Sequence, residues 1–443
     1  MSADLAARLA ALGPEQRARL LARARETRFA RERPAPGQLR LWEAHHGTGG
    51  RPVDVVCQAV HLTGARVDLD LLEERIVGFA RTHEALRTTF EQTGTEGPRP
   101  VVHAELPPRV SRARCGNEEE AHGLARALAN EPFDLANGPL LKVVLAQGPS
   151  AEEAWLLVVV HNLVFDAWSF ELLLDELARN PDERPAAAVP FSRFAHEQRA
   201  WIESAPGRAA AGYWAGEVAD APPPLPTDRP RKQDTSRPGR HVEFSLPPEV
   251  ARGVAGAAQR EAATAYTAWL AVAWAALAEF GGRDDVLLGT FTAGRNRSQY
   301  AGVVGYLLNV LPVRLRSPGD GTHRSRIRAA RDATRAGLAH AAYPGELIGT
   351  ARRVPGTHPL LDAVFVFDNL GESTRTVQGA RVTTTDLDKG TARYDLTLAV
   401  YPGPDGVAGW IEYDTDLYEE ATARRLAERF GVLAAAMAEE GAQ

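Results

Sequence analysis

The sequence of 443 residues contains only two cysteines, two methionines and three lysines. Cys57 and Cys115 cannot build a disulfide framework. Cys57 lies in the apolar run VDVVCQAVHL and reads as a small buried hydrophobe. No Cys/His spacing suits zinc, so no metal site is expected. An excess of positive charge is also missing: 51 Lys and Arg face 57 Asp and Glu, a net charge of −6. Nothing in that balance points to nucleic acid or an anionic membrane as partner. The start, MSADLAARLAAL, has no basic stretch followed by an apolar one and does not read as a signal peptide. The apolar run from Ala154 to Val160 is too short to span a bilayer. A reducing cytoplasm and no membrane contact are the expectation.

The remaining composition is that of a folded protein, 44% apolar and 24% charged. The length predicts two domains or two lobes. Residues 3–32 read as a helix interrupted at Pro14 and anchored by Leu20, Leu21 and Phe29; Pro34 and Pro36 end it. Strands are predicted at 53–61, 141–147 and 154–161, with helices at 69–82, 117–130, 190–204 and 207–218. The Pro- and charge-rich stretch 221–240 (APPPLPTDRPRKQDTSRPGR) reads as a linker. Beyond it the pattern predicts a strand at 241–246, one long helix over 255–280, and strands at 286–292, 310–315, 362–367, 379–385, 394–402 and 408–414. A helix over 419–439 closes the chain. Strands alternate with helices in both halves, which predicts two α/β lobes. The implied organisation is a helical segment 1–33, a first lobe 34–220, the linker, and a second lobe 241–443.

One segment concentrates polar chemistry: His161-Asn162-Leu163-Val164-Phe165-Asp166-Ala167-Trp168-Ser169. A His-Asn pair ends a continuously apolar strand, and a carboxylate follows at a helix start. Strand ends that feed loops are where α/β proteins place reactive groups. The plainer reading is a satisfied core histidine and a helix cap.

Blocks elsewhere decide between the two. The segment resembles the HHxxxDG motif of nonribosomal peptide synthetase condensation domains and related chloramphenicol-acetyltransferase-like enzymes. Gln38-Leu39-Arg40-Leu41-Trp42 is similar to that family's opening block. Arg81-Thr82-His83-Glu84-Ala85-Leu86-Arg87-Thr88-Thr89-Phe90 is similar to its second. Pro132-Phe133-Asp134-Leu135, Leu225-Pro226-Thr227-Asp228-Arg229-Pro230, Ala293-Gly294-Arg295-Asn296-Arg297, Val304-Gly305-Tyr306-Leu307-Leu308-Asn309 and Glu412-Tyr413-Asp414-Thr415-Asp416-Leu417 follow in the family's order.

The resemblance implies two chloramphenicol-acetyltransferase-like lobes forming a V-shaped pseudo-dimer around a central tunnel. It implies a monomer that binds no cofactor and takes donor and acceptor substrates on the phosphopantetheine arms of carrier proteins. The product is an amide or, in some members, an ester. By the motif match, His161 is the structural histidine, Asp166 pairs with an arginine, and Arg295 is the candidate partner. Trp168 packs in the core, and Asn309 and Ser169 line the tunnel. Ala167 stands where the motif has glycine. Asn162 stands where it has the histidine that deprotonates or orients the amine.

An asparagine does not titrate near neutral pH and cannot be a general base. Losing a positioned base costs roughly 10²–10⁴ in rate. A free α-amine, with a pKa near ~8, is partly neutral already and needs mainly orientation. An alcohol needs the base more, so amide formation is expected over ester formation. His45 and His46 follow the opening block and could approach the tunnel as a replacement base, but their Gly-rich polar stretch reads rather as a solvated loop. His83, Arg87 and His340 read as structural. Three functions follow: an amide-forming acyltransferase with Asn162, His161 and Asp166 at its centre; a silent platform that docks a carrier protein or recruits a tailoring enzyme; or an enzyme using a coenzyme A donor. With no adenylation or carrier segment in the sequence, the chain reads as free-standing or as excised from a larger synthetase.

Overall fold

The computed structural model describes residues 33–94, 97–180, 189–232, 237–317, 319–349, 361, 363–367 and 375–442. The helix expected over 3–32 lies outside the described residues. The first half begins with α1 (Pro36–Gly47), β1 (Val55–Thr63) and α2 (Leu69–Thr82). Three strands follow, β2 (Thr88–Gln92), β3 (Pro98–Val102) and β4 (Arg109–Arg114). Then come α3 (Glu118–Asn130), β5 (Leu141–Gln147), β6 (Glu153–His161) and α4 (Ala167–Ala178). Helices α5 (Phe191–Ile202) and α6 (Ala205–Val218) complete it.

The second half opens with β7 (Gly239–Leu246), α7 (Pro248–Arg260), α8 (Ala265–Gly281), β8 (Asp285–Thr292) and β9 (Asn309–Arg316). It continues through α9 (His323–Ala339), β10 (Ala363–Phe367), β11 (Thr376–Val377) and β12 (Ala380–Asp386). It closes with β13 (Leu396–Gly403), β14 (Gly406–Asp414) and α10 (Glu420–Ala442).

Two six-stranded sheets organise these elements, in the orders β11-β12-β1-β6-β5-β4 and β7-β14-β13-β10-β8-β9. A strand in the middle of a covered sheet must be apolar on both faces. β6 is that strand, and its residues from Ala154 to Val160 are all 1% exposed or less. In the second lobe α8 fills the same need, buried at every residue from Thr267 to Ala278. A helix apolar all round belongs inside.

Local signals set the helix starts. The Asp68 carboxylate accepts the N–H groups of Asp70 and Leu71 at the start of α2. The Asn117 side chain accepts that of Glu120 at the start of α3. Pro36, expected to end a segment, instead begins α1. Proline costs nothing in a first turn, where its missing N–H has no partner anyway. The single helix expected over 255–280 is two, α7 and α8. Ala262 takes a positive φ of 49° between them, and Thr264 caps the second.

The lobe boundary also needs correction. The span 241–443 does not form one lobe. β12 pairs antiparallel with β1, from Gln58 opposite Asp386 to Thr63 opposite Arg381. The strand expected at 379–385 therefore extends the first sheet. The stretch 221–232 has no regular structure but is fixed to the second lobe. Leu225 enters that lobe's core, and the Arg229 guanidinium donates to the carbonyls of Thr415 and Tyr418 at 2.9 and 2.8 Å.

Candidate active site

The polar segment leaves the end of the buried strand β6. His161 is its last residue, opposite Val55 at the start of β1. Asn162 opens a single 3-10 turn, Asn162–Val164. Asp166 then caps α4, its Oδ1 accepting the N–H of Ser169 at 2.8 Å.

Asp166 is fully buried and its oxygens are saturated. The Arg295 guanidinium donates to both, at 2.8 and 3.0 Å. The Ser169 hydroxyl donates to Oδ1 at 2.7 Å, and the Leu307 N–H to Oδ2 at 3.0 Å. Arg295 also donates to the carbonyls of Ala293 and Val303. A buried carboxylate is tolerable only when paired this fully. The pair joins the lobes, because Arg295 follows β8 and Asp166 follows β6. The segment from Tyr300 to Leu307 continues the junction and packs into the first lobe's core.

Three expectations about neighbours change. Trp168 is 42% exposed rather than in the core. Its Nε1–H donates to the Ala301 carbonyl at 2.9 Å, and the Arg295 guanidinium lies 5.6 Å from its ring. Ser169 is wholly buried and lines no open space. Its hydroxyl is used by Asp166 and by the Gly305 N–H, which it accepts at 3.0 Å. Asn309 is likewise occupied internally. Its Nδ2 donates to the Ala341 and Tyr343 carbonyls, and its Oδ1 accepts the Gly345 N–H at 2.8 Å. Ala167 is the first residue of α4 and exposed. Helical backbone has no need of glycine there.

Asn162 is 8% exposed. Its Nδ2 donates to the Phe165 carbonyl at 3.3 Å, which closes the turn. Among the described residues no donor is bonded to its Oδ1. That oxygen is free to accept, but the side chain cannot take up a proton.

His161 is 1% exposed, and its Nδ1 accepts the Leu163 N–H at 3.1 Å. Its Nε2 lies 3.2 Å from Nδ1 of His45. Burial holds the His161 imidazole well below its ordinary pKa, with smaller contributions from His45 and Arg393. Sequence reading placed His45 in a solvated loop, but it sits in the last turn of α1. β1 runs antiparallel to β6, so the chain entering β1 passes beside the end of β6. The Gln38 Nε2 donates to the Leu163 carbonyl at 2.8 Å and docks the same helix on the motif turn. The helix pattern of 36–47 and the His-Gly-Thr-Gly-Gly turn after it were the available signals.

Glu346 was also missed. Burial raises its carboxyl above the ordinary value, with Arg393 and Arg40 opposing. His340 stacks on Tyr213 with centroids 4.1 Å apart, and His83 packs on Phe79 at 4.4 Å. Both are structural contacts. Among the described residues no group of three or more His, Cys, Asp or Glu side chains could hold a metal ion. Nor is any described helix long and apolar enough to cross a membrane.

A family model described as the condensation domain matches residues 36–443. A component of the linear gramicidin synthase of Brevibacillus parabrevis is 30% identical over 433 residues, covering 92% of this chain. The chain spans only 8% of that relative's length. Among solved structures, the condensation domain of the monacolin K polyketide synthase MokA aligns with a TM-score of 0.82 at 20% identity, covering 92% of this chain and 97% of that one. The X-domain from teicoplanin biosynthesis, solved in complex with OxyB, aligns with a TM-score of 0.79 at 22% identity, covering 92% and 93%. The fold is therefore two chloramphenicol-acetyltransferase-like lobes, and the chain belongs to the condensation domain family of nonribosomal peptide synthesis.

Proposed function

We propose that this chain joins a carrier-bound acyl thioester to an amine acceptor, with Asn162 orienting the amine and no protein base removing its proton. The observation that carries this reading is the motif turn. Asn162 replaces the base, yet the Asp166–Arg295 pair that fixes the turn is intact, with five donors on one carboxylate. The free Asn162 Oδ1 can accept an N–H of the incoming amine. The amine lone pair attacks the thioester carbonyl, the C–S bond breaks, and the thiolate leaves on its phosphopantetheine arm, to be protonated by water in exchange for the proton the nitrogen gives up. The ammonium proton leaves to water. Holding both reactants together supplies several kcal/mol of the barrier, which offsets about 3–5 kcal/mol for the absent base. His161, neutral and locked in the turn, is structural.

The lost base also favours a second reading, a silent platform that docks a carrier protein or recruits a tailoring enzyme. The teicoplanin X-domain, whose complex with OxyB has the same fold, is the comparison for it.

The test is mass spectrometry of a reaction containing an acyl-carrier thioester and an amine acceptor. It compares the natural protein with Asn162→Ala and Asn162→His. Amide from the natural protein, reduced in Asn162→Ala, supports an orienting asparagine. No amide until histidine is introduced rejects it in favour of the platform. An equal rate with a hydroxyl acceptor also rejects it.

A further inference from the structure

A proton on one imidazole can be placed here by elimination. His161 Nδ1 accepts the Leu163 N–H, and a backbone N–H cannot be an acceptor. A neutral imidazole carries one proton, so that of His161 is on Nε2. It then points at His45 Nδ1, 3.2 Å away, which must accept. The rings meet edge to face, with centroids 5.1 Å apart.

We infer that His45 is a positioning residue of this centre. It accepts the Nε2–H that the Leu163 N–H leaves on His161, and through that bond it fixes the turn that presents Asn162. The catalytic part of this inference rests on the amide-forming reading above.

The arrangement works only while both rings are neutral. A proton on His45 Nδ1 would face the His161 Nε2–H, donor against donor. The charged and titratable groups around the pair disfavour that proton. His46 lies on the same helix, its ring centroid 5.5 Å from that of His45. Arg393 precedes β13 and acts on His161. Asp54, ahead of β1, attracts the proton, but its carboxylate is engaged by the Arg393 Nε at 3.2 Å. Burial, then His46, holds the His45 imidazole below its ordinary value, against Asp54. The anchored α1 makes the contact durable, since Gln38 ties the same helix to the Leu163 carbonyl.

Two variants separate positioning from bulk structure. His45→Gln keeps an acceptor, because Oε1 can take the His161 proton. His45→Leu keeps volume and removes the acceptor. The first readout is the imidazole ¹⁵N spectrum of histidine-labelled protein, which needs no substrate. The expected pattern is His161 as the Nε2–H tautomer, neutral through pH 6.5 and below, with the hydrogen-bonded Nε2 shift kept in His45→Gln and lost in His45→Leu. The second is the condensation rate. His45→Leu is expected to lose about tenfold at neutral pH, the worth of one net hydrogen bond. His45→Gln is expected to stay near the natural rate there. Its rate relative to the natural protein should rise as pH falls below 6.5, a ratio that cancels titration of the amine. An Nδ1–H tautomer, ordinary titration of His161, or a fully active His45→Leu overturns the inference. No amide from any variant rejects the amide-forming reading, while the imidazole pattern still decides the pairing.

Discussion

Replacing Arg295 by methionine should release the clasp between the lobes. The guanidinium is 3% exposed and the Asp166 carboxylate 0%. Methionine keeps most of the apolar stem, so the cavity left behind is small. The loss is electrostatic: Asp166 retains Ser169 N–H, Ser169 hydroxyl and Leu307 N–H as donors but loses its countercharge. Removing one partner of a buried pair costs about 3–5 kcal/mol. Urea unfolding followed by tryptophan fluorescence measures this, and Trp168 against Arg295 adds a local reporter. The partner variant is Asp166→Asn, which keeps an N-cap for α4. The double variant should be less damaged than the sum of the singles by about 2 kcal/mol. A loss below about 1 kcal/mol for Arg295→Met, or strict additivity in the double variant, would show that the pair does not hold the junction.

Two further outcomes are expected. Burial, helped by Arg179, pushes the His83 imidazole down to about 4, so the folded state favours the neutral ring while the unfolded chain takes up a proton near pH ~6.5. The His83 contribution to stability should be complete above pH 6.5 and fall by about 3 kcal/mol as pH drops from there toward 4, so His83→Gln should make the acid slope shallower by that amount in unfolding measured across pH. Gly294 has φ +66° and a Cβ there would lie 1.7 Å from the Leu307 carbonyl oxygen. Gly294→Ala should therefore lose soluble yield or more than about 3 kcal/mol, whereas Gly302→Ala, with nothing within 4 Å of its Cβ position, should match the natural protein in the same unfolding assay.

The parts legible in the sequence were those written in local pattern. The apolar run of β6, the cap Asp166, and the alternation of strands and helices each act within a few residues. α9 escaped because its buried residues Ile327, Ala330, Thr334 and Gly337 are few and small amid arginines. α1 escaped because Pro36 is ambiguous between a stop and a start. The partners of the site could not be read the same way. His45 meets His161 across 116 residues, and only the antiparallel register of β1 on β6 brings them together. Asn309 and Ser169 carry polar side chains that suit an open cleft as well as a sealed junction. Which one holds depends on carbonyls and N–H groups delivered from distant segments.

Recombination between relatives meets a constraint in this topology. A chimera cut at the linker 221–240 looks like an exchange of whole lobes. It is not, because β11 and β12 travel with the second half yet finish the first sheet against β1. Such a hybrid would place a foreign β12 beside β1 and expose any mismatch along six paired residues from Gln58 to Thr63. A faithful exchange needs three cuts rather than one, in the linker and on both sides of 376–386. For the same reason the two halves, made as separate polypeptides, are expected to be soluble only when made together, since the first half alone leaves the β1 edge open and the second alone leaves β11 and β12 without their sheet.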